Sequence, residues 1–585
     1  MHGAKEAPAS YLRIDRRSLL AVTAAGIAAT SLEHFGSKGI KAQEAASAAV
    51  VSAHWAATNA GIEILEAGGT AADAAVAVAS VLTVVEPYFS SALGGGTWAL
   101  YFDAETGEVT SLDGVGPVGS LATLEDYRER ADAPGMHQAN VPGAWDGWML
   151  WLARYGRMEL PEILAPAIVL ARDGFIVGGQ MASYLERFEP NFSAFPETVA
   201  TYETDGALPV TGDVIQLPDL AATFQALSDA YDQADGDHTV KIQAARDYFY
   251  RGPIAEAIVA FSEENGGYFT LEDFANHESA IVEPVSINYR GLDVYQNPPN
   301  SQGIAMLLAL NTLKWFDLSG VEPMSADTIH VQVEAIKLAY ADRHQYIGDP
   351  AFADIPVGDL LSDEYGRSQV DRIDLGNAME WPIDSGLEGR NASHTTTFHI
   401  VDSLGNAAAV TTSLGFQFLV VRDTGIHINE RNRFLSIEEG NPNTFAPGKK
   451  VRHTSCPYMA LLNGQPALLG GNTGIDTQPQ AQLQQFMNMV DFGFTAQEAV
   501  DQPRFVSTAF PATTNPHDVG NSLQMEEGFP EETIEALESR GHQIEIGEGV
   551  FGNAAAITLS DDGLELAVGV ESRADDPLGI VIPSE

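Results

Sequence analysis

The stretch from His394 to Gly415 constrains the fold more than any other, because it has the pattern of two paired strands. Three consecutive threonines, Thr395 to Thr397, lead into an apolar run that ends at a Gly405-Asn406 turn, and a second run extends from Val410 to Leu414. β-Branched side chains are stiff at χ1 and suit a pleated strand. The stretch therefore predicts a β-hairpin, in which the threonines, on these residues alone, are ordinary strand residues.

The composition is that of a folded, strongly acidic protein. Hydrophobic residues make up 45% of the 585 residues and aromatic residues 9%, which suits a chain with a sizeable core and argues against disorder. Lys and Arg number 31 against 80 Asp and Glu, so the formal net charge is -49. Such a charge repels phosphate backbones, so we expect no nucleic-acid partner. The acidic residues are spread along the chain, which indicates a well-solvated surface.

The N-terminus has the features of an export signal. Arg16-Arg17 is followed by Ser18-Leu19-Leu20 and an uncharged, alanine-rich run through Thr30, a pattern typical of twin-arginine signals. The apolar run is too short for a membrane span, and no other stretch reaches that length. We therefore predict a signal over residues 1–42, no membrane span, and an exported protein that is periplasmic or extracellular. Cys456 is the single cysteine, so no intrachain disulfide can form.

The first part of the mature chain combines small-residue helices with strands. The pattern predicts one helix from Ala56 to Ala67 and a second that Asp73 opens and that ends before Glu86-Pro87. Helices this small and apolar are usually buried by close packing. The glycine run from Gly94 to Gly96 lacks the Lys-Ser/Thr of a phosphate-binding loop, so it indicates close backbone packing ahead of a strand from Trp98 to Phe102.

A series of ordered motifs resembles the γ-glutamyltransferases, also called γ-glutamyltranspeptidases, of the N-terminal-nucleophile hydrolase superfamily. The resemblance extends from about residue 48 to the end of the chain, and so many blocks in one order make it specific. The motifs are Gly94-Gly95-Gly96, Val141-Pro142-Gly143, Tyr289-Arg290-Gly291, Pro298 to Gly303, Gly348-Asp349-Pro350, Thr395-Thr396 with Gly405-Asn406, and Pro503-Arg504-Phe505.

The resemblance implies an α+β fold, a four-layer αββα sandwich with two antiparallel sheets between layers of helices. It also implies that the precursor cleaves itself before Thr395. Cleavage would give a large subunit of residues 43–394 and a small subunit of residues 395–585 within one structural unit. The polar, turn-rich segment from Gly376 to Ser393 fits an exposed linker in which a chain can be cut.

Thr395 gains a base of its own if its bond to His394 is broken. A threonine hydroxyl is a weak nucleophile until a base takes its proton, and the new α-amino group has a reference pKa of about 7.7 to 8.0. The hypothesis is that the hydroxyl first attacks the His394 carbonyl and later an amide substrate, forming an acyl-enzyme that water or an amine resolves. By resemblance, Ser413 hydrogen-bonds near the nucleophile and Gly474 is the backbone donor to the oxyanion. The alternatives are a strand-face serine and a turn glycine.

One residue that would bind a γ-glutamyl group is missing. Transferases that use glutathione bind the α-carboxylate with an Arg placed shortly after a Leu-Asp-Gly. Here Leu112-Asp113-Gly114 is followed by Val115, and no Arg occurs before Arg128. A bidentate pair of Arg and carboxylate is hard to replace with another side chain, so this departure puts the γ-glutamyl substrate in doubt.

A second substrate-binding segment also differs from the family. The family holds the substrate amine with an acid in an Asn-Asn-Gln-x-Asp-Asp-Phe segment, whereas the run from Asn429 to Phe434 is one residue shorter and has no Asp. Glu430 could replace that acid, and Arg431 could meet an anionic substrate group. Both could instead be solvated loop charges. Asn429, Glu430 and Arg431 are therefore predicted substrate-binding residues.

Ser455-Cys456 corresponds to a Ser-Ser pair of the transferases. The surrounding run from Arg452 to Pro457, and Gln478-Pro479-Gln480 further on, are more similar to the acylase-like branch of the family. A lone cysteine is a candidate nucleophile in principle, but no His/Asn partner pattern accompanies it. We therefore interpret Cys456 as pocket lining or core and predict that Ser455 and Cys456 contact substrate.

Three function hypotheses result from these patterns. The first is a self-cleaving γ-glutamyl transferase or glutathione hydrolase-like enzyme, and the second is an acylase-type amidohydrolase with another acyl group. The third is an uncleaved, exported binding protein without catalysis. In the first two, the partners are a small-molecule amide and a water or amine acceptor. No cofactor is implied, and no His, Asp or Glu cluster has a trusted ligand spacing, so no metal site is predicted.

Overall fold

The structure, a computed structural model, describes residues 46–383, 395–415, 419–547, 549, 551–560 and 565–583. The predicted export signal and His394, on one side of the predicted cleavage site, lie outside these residues. A search of the described helices for one long and apolar enough to cross a membrane finds none.

Short strands are distributed along the whole described chain. They are β1 (Ala46–Ser52), β2 (Gly96–Asp103), β3 (Glu108–Gly114), β4 (Phe175–Ile176), β5 (Val214–Ile215), β6 (Ala280–Val282), β7 (Val285–Tyr289), β8 (Leu292–Gln296), β9 (Thr396–Val401), β10 (Ala407–Ser413), β11 (Val420–Val421), β12 (Ile426–His427), β13 (Tyr458–Leu462), β14 (Gln465–Asn472), β15 (Phe505–Ser507), β16 (Ser522–Met525), β17 (Gln543–Ile546), β18 (Ala554–Leu559), β19 (Leu566–Val570) and β20 (Leu578–Pro583).

Most of the helices precede Thr395. The α-helices are α1 (Trp55–Glu66), α2 (Ala71–Val85), α3 (Leu124–Arg130), α4 (Ala144–Tyr155), α5 (Leu160–Asp173), α6 (Gly179–Phe192), α7 (Pro196–Tyr202), α8 (Pro218–Gln233), α9 (His238–Tyr250), α10 (Pro253–Glu264), α11 (Leu271–Ala275), α12 (Ile304–Leu313), α13 (Ala326–Tyr346), α14 (Val357–Leu360), α15 (Asp363–Val370), α16 (Thr477–Val490), α17 (Ala496–Asp501) and α18 (Glu531–Ser539). Short 3₁₀-helices span Met136–Gln138 and Arg431–Phe434.

The predicted hairpin is confirmed. β9 and β10 pair antiparallel, from Ala407 opposite Val401 to Thr412 opposite Thr396. Gly405 in the turn has φ +86°, a conformation that glycine adopts without strain. Both strands are buried along their whole length, which explains why β-branched and small residues run through them with little polar alternation.

Two large antiparallel sheets contain this hairpin and the strands around it. The seven-stranded sheet has the order β20-β1-β9-β10-β2-β3-β6, and the six-stranded sheet has the order β19-β18-β14-β13-β8-β7. Each sheet contains strands from before and after Thr395. The two predicted subunits therefore share both sheets.

Apolar side chains fill the space between the large sheets and cover their outer faces. Between the sheets, Val51 and Leu100 of the first pack in one cluster with Met459 and Ile557 of the second. Helices α1, α2 and α4 lie in the apolar core on the outer face of the first sheet, and α12, α13 and α16 in that of the second. The order helix, sheet, sheet, helix confirms the predicted αββα sandwich.

The two alanine-rich helices and the close packing at the glycine run are confirmed, with one shift. α2 begins at Ala71 rather than at Asp73, because Thr70 is the N-cap and forms a capping box with Asp73. Every residue of α2 is buried. A side chain at Gly94 would lie 1.8 Å from the His427 carbonyl oxygen, so only glycine fits there.

The predicted exposed linker is wrong at two of its described positions. Trp381 and Ile383 are only 8% and 7% exposed, because they pack into the apolar core beside the six-stranded sheet. The Met379 amide donates to Glu334 of α13 at 2.8 Å, which ties the same segment to that helix. Residues 384–393 of the predicted linker lie outside the described part of the chain.

Candidate active site

Thr395 lies at the start of β9, where the hairpin register brings it beside Ser413. Thr412 pairs with Thr396, so the next position on each strand is Ser413 and Thr395. The Oγ1 atom of Thr395 is 3.4 Å from Ser413 Oγ, and Gln478 Nε2 donates to it at 3.0 Å. All three side chains are buried. The predicted nucleophile therefore has hydrogen-bonding groups on its hydroxyl from two different elements.

Arg431 extends this chain of contacts beyond Ser413. Its Nη1 donates to Ser413 Oγ at 2.9 Å and its Nε to the Leu414 carbonyl at 3.2 Å, while the guanidinium lies 4.3 Å from the centre of the Phe434 ring. A guanidinium has only donors, so the serine oxygen accepts from it. Ser413 therefore links the Arg431 guanidinium to the Thr395 hydroxyl.

The Arg431 side chain carries a buried charge that the neighbouring Glu430 stabilises only in part. Among the described residues it forms no ion pair within 4.0 Å, and its Nη2 has no hydrogen-bond partner. Burial lowers the pKa of Arg431 to about 10. Burying a cation without a counterion is costly. The position beside Ser413 is therefore electrostatically suited to an anionic group.

Asn429 and Glu430 lie next to Arg431 in different environments. The Asn429 amide nitrogen donates to the Gly94 and Asn140 carbonyls, and its oxygen accepts from the Asn140 and Arg431 amides. These four bonds use the full capacity of an asparagine side chain. Glu430 lines a cavity of about 140 Å³ that Arg433 also lines.

Gly474 lies in the short turn between β14 and α16. Its φ of +112° requires glycine, and its carbonyl accepts the Thr477 amide at 2.6 Å at the start of the helix. Gln478, in the first turn of α16, is the residue of this segment whose side chain contacts Thr395. The sequence motif containing Gln478 was recognised as acylase-like, but nothing in it predicted contact with the nucleophile.

A buried ion pair holds the turn in place. Arg343 of α13 pairs with Asp476, which also accepts the Thr513 amide at 2.8 Å and the Thr513 hydroxyl at 2.7 Å. Burial raises the pKa of Asp476, but the Arg343 charge and the Thr513 bonds outweigh it and hold this pKa below its ordinary value. Asp476 is therefore a charged anchor for the residues around Gly474.

Ser455 and Cys456 are both buried, and Cys456 is linked to the nucleophile through Gln478. Cys456 Sγ lies 3.7 Å from Gln478 Oε1, on the opposite end of the amide from Thr395. Burial raises the pKa of the Cys456 thiol, which disfavours the thiolate that a cysteine nucleophile needs. In the described part of the chain, the hydroxyls of Thr454 and Ser455 have no hydrogen-bond partner.

The missing arginine after Leu112-Asp113-Gly114 is not replaced from nearby sequence. Val115 is fully buried in an apolar cluster, and Asp113 is paired with Lys450 at 2.6 Å. Arg128 is a surface residue that pairs with Glu439. None of these residues presents a guanidinium to the site, whereas Arg431 presents one to Ser413, the neighbour of Thr395.

Residues 57–579 match the family model described as Gamma-glutamyltranspeptidase. The chain belongs to this family. The predicted family and enzyme class are therefore confirmed: the protein is a γ-glutamyltransferase-type enzyme of the N-terminal-nucleophile hydrolases.

Named relatives include both hydrolases and acylases. The chain is 35% identical to the Glutathione hydrolase-like YwrD proenzyme of Bacillus subtilis (strain 168), a match that covers 90% of this chain and 97% of that protein. It is 31% identical to the Acylase ACY 1 proenzyme of Pseudomonas sp. (strain SE83), covering 88% and 90%. The crystal structure of cephalosporin acylase from Bacillus halodurans has a TM-score of 0.81 at 31% identity, covering 93% and 97%. Both enzyme hypotheses are consistent with these relatives.

Proposed function

We propose that the precursor cleaves itself between His394 and Thr395 and that the freed Thr395 then cleaves an amide bond whose acyl group carries a carboxylate. The observation that carries this proposal is the chain of contacts from Arg431 through Ser413 to Thr395. It joins a nucleophile to a buried cation that forms no ion pair with any described residue. The products of cleavage are a large subunit ending at His394 and a small subunit of residues 395–585, which stay together because they share both sheets.

In the proposed reaction, the α-amino group of Thr395 takes the hydroxyl proton as Oγ1 attacks the amide carbonyl. Ser413 and Gln478 hold Oγ1 in place through hydrogen bonds. The Gly474 amide is the proposed donor to the oxyanion that forms, as in a backbone oxyanion hole. The α-amino group then gives this proton to the amide nitrogen, so collapse of the intermediate releases the amine and leaves the acyl group on Thr395. Water completes hydrolysis, and an amine acceptor completes transfer.

Arg431 is the proposed anchor for the carboxylate of the acyl group. The guanidinium offers Nη2 without losing its bond to Ser413, and an anion there would balance the buried charge. This arrangement supports acyl groups such as glutaryl and γ-glutamyl, which both end in a carboxylate. Glu430, beside its cavity, is the proposed partner for the α-amine that only the γ-glutamyl group carries.

The remaining predicted residues have supporting roles in the proposal. Asn429 acts as a positioning residue, because its saturated side chain fixes the Arg431 backbone and leaves no bond for substrate. The Ser455 hydroxyl is a proposed substrate contact. Cys456 supports Gln478 from the side opposite Thr395.

Replacing the nucleophile tests the proposal most directly. Thr395→Ala should leave the purified chain at full length and without amidase activity, whereas the wild type should show a new N-terminus at Thr395 in N-terminal sequencing and two bands on a denaturing gel. Thr396→Ala, at the neighbouring position, is the matched control and should still be cleaved at Thr395. A Thr395→Ala chain that is still cut there would sink the proposal.

Two p-nitroanilides separate the two enzyme hypotheses. Glutaryl-p-nitroanilide and γ-glutamyl-p-nitroanilide differ only in the α-amine. Turnover of both, with a preference for γ-glutamyl that Glu430→Gln removes, would favour the transferase hypothesis. Turnover of the glutaryl compound alone would favour the acylase hypothesis. A protein that cleaves neither of them, but cleaves an uncharged acyl anilide, would contradict the carboxylate assignment.

We also propose export through a twin-arginine signal, supported by Arg16-Arg17 and the alanine-rich run that follows. Cell fractionation of a strain expressing the full chain should find the mature protein outside the cytoplasm. Arg16→Lys combined with Arg17→Lys should retain the uncut signal form inside. Equal distribution of the two proteins would contradict this proposal.

A further inference from the structure

Two histidines and a glutamate meet in the apolar layer outside the six-stranded sheet, although no sequence motif pointed to them. His330 and Glu334 lie one turn apart on α13, and His542 lies between α18 and β17. One ligand atom of each side chain lies within 4.8 Å of the others, and all three residues are buried. We propose that these three side chains bind a divalent transition-metal ion, with Zn²⁺ as the reference ion.

His330 is already oriented as a metal ligand. Its Nε2 lies 2.8 Å from the Asp374 carbonyl oxygen, which can only accept, so Nε2 carries the proton. The lone pair is therefore on Nδ1, the atom that faces the other two residues. A hydrogen bond from the second ring nitrogen to a backbone carbonyl is the usual way in which proteins fix a metal-binding histidine.

Glu334 is held equally firmly and keeps bonding capacity. Its Oε1 accepts from the Lys337 ammonium at 2.7 Å, and its Oε2 accepts from the Met379 amide at 2.8 Å. Each carboxylate oxygen has two lone pairs, so each can accept a hydrogen bond and still reach an ion. Lys337 also donates to the Met379 carbonyl at 2.7 Å, which holds its ammonium group beside the carboxylate.

His542 completes the set with a small movement. Its Nε2 is 2.8 Å from His330 Nδ1 and donates a proton to it. An ion in place of that proton, with Zn–N bonds of about 2.0 to 2.1 Å, needs the two nitrogens about 3.3 Å apart in tetrahedral geometry. The imidazoles would separate by about half an ångström, and the His542 proton would move to Nδ1.

A fourth ligand has a place next to His542. A cavity of about 10 Å³, lined by Lys337, Met379, Glu380 and His542 among others, has room for about one water molecule. Two imidazoles, a carboxylate and a water form a common coordination set for Zn²⁺. Nitrogen and oxygen ligands of this kind also suit Ni²⁺ and Co²⁺, and they argue against Ca²⁺, which prefers oxygen alone.

The proposed ion would have a structural role. His330 and Glu334 precede the proposed cleavage site and His542 follows it, so the ion would connect the two subunits; this role rests on the proposed function, whereas metal binding does not. Arg343, which anchors the active-site turn, lies 13 residues after His330 on the same helix. That separation is about 20 Å along a helix, so the ion would not touch the reacting atoms.

Metal content and thermal unfolding test the proposal. Protein incubated with Zn²⁺ and then gel-filtered should retain about one ion per pair of subunits by elemental mass spectrometry. Its unfolding midpoint should fall by several degrees on chelation and recover when Zn²⁺ is returned. His542→Gln and Glu334→Gln should lose the retained ion. His344→Gln, on the same helix and outside the cluster, should keep it.

Several outcomes would overturn the proposal. Wild-type protein with no more Zn²⁺ than His542→Gln, or with a midpoint that chelation leaves unchanged, would show that the histidines form only a hydrogen-bonded pair. Visible absorption of bound Co²⁺ gives a second measurement on variants whose folding is confirmed by circular dichroism. Uncut Thr395→Ala should bind the ion as well as wild type does, so failure of the proposed catalytic function can be distinguished from failure of this site.

Discussion

Two buried arginines contact different parts of the proposed catalytic site, and they differ in whether they form an ion pair with an acid. Arg343 pairs with Asp476 and donates to Gln302 at 2.6 Å, under the turn that carries Gly474. Arg431 donates to Ser413 and to a carbonyl, and among the described residues it pairs with no acid. A buried cation with its counterion supports the scaffold, whereas one without is available to an anionic ligand.

Glu86 is a third case, in which a proton removes the buried charge. It is fully enclosed, and its Oε2 accepts from the Thr396 hydroxyl at 2.7 Å, directly beside Thr395 in the chain. Burial, opposed by this hydrogen bond, and the Asp576 charge raise the pKa of Glu86 to about 8. A carboxylic acid can escape the cost of burial in this way at neutral pH, but an arginine cannot.

The largest effect, on the free energy of unfolding, is expected when Arg343 is replaced. Arg343→Met would leave Asp476 buried without its cation, and removing one partner of a buried pair typically costs about 3–5 kcal/mol. Denaturant titration should show a loss of this size in the free energy of unfolding. Adding Asp476→Asn should recover part of it, because the isolated charge is then removed. A loss below about 1 kcal/mol, as for a surface pair, would contradict the scaffold role of Arg343.

A smaller effect, dependent on pH, is expected at Glu86. The folded protein keeps the Glu86 proton up to about pH 8, whereas an unfolded chain releases it near the ordinary glutamate pKa of 4.5. The folded state therefore binds more protons across that window, so this group lowers stability as pH rises from about 4.5 to 8. Glu86→Gln keeps an acceptor for Thr396 and should flatten this slope in unfolding midpoints measured across the window. Parallel curves for wild type and variant would show that Glu86 does not cause the fall in stability with pH.

Replacing Arg431, which forms no ion pair with any described residue, should lower activity and leave stability intact. Arg431→Met should lower kcat/KM for a carboxylate-bearing anilide by about 10- to 150-fold, as for a lost charged hydrogen bond of about 1.5–3 kcal/mol. Its unfolding free energy should stay level or rise, because a buried charge is removed. Turnover of butyryl-p-nitroanilide, which lacks the carboxylate, is the control and should change little. An equal loss of kcat/KM on both substrates would show that Arg431 only positions Ser413 and Thr395 and does not bind the substrate carboxylate.

Sequence patterns predicted the parts of the molecule that depend on local order. The hairpin followed from two runs of β-branched and apolar residues around the Gly405-Asn406 turn, and its register is enough to bring Ser413 beside Thr395. The αββα layers followed from the ordered family motifs. Arg431 was a candidate for an anionic group, but its contact with Ser413 depends on the fold of a 3₁₀-helix that sequence spacing does not specify.

Contacts between distant segments were not predictable in the same way. Gln478 meets Thr395 across 83 positions, and His330 meets His542 across 212. Neither residue type nor sequence spacing predicts these contacts, because only the packing of the αββα layers brings the two residues of each pair together. Asn429 was placed in a substrate-binding segment by its motif, and the fold adds that its amide nitrogen donates to the backbone carbonyls of Gly94 and Asn140.

The smallest effect on activity is expected at Gln478. This residue follows the turn that Arg343 and Asp476 anchor, and its side chain contacts Thr395. Gln478→Ala removes a neutral hydrogen bond to Thr395 Oγ1, worth about 1 kcal/mol, so kcat should fall about fivefold to tenfold. KM for the carboxylate-bearing substrate should be unchanged, because the variant keeps Arg431, the proposed anchor of the carboxylate. Gln482→Ala is the matched control: on the same helix, it contacts Cys456 and leaves Thr395 alone. If both variants lose the same activity, the effect comes from the packing of α16, and Gln478 does not position the nucleophile.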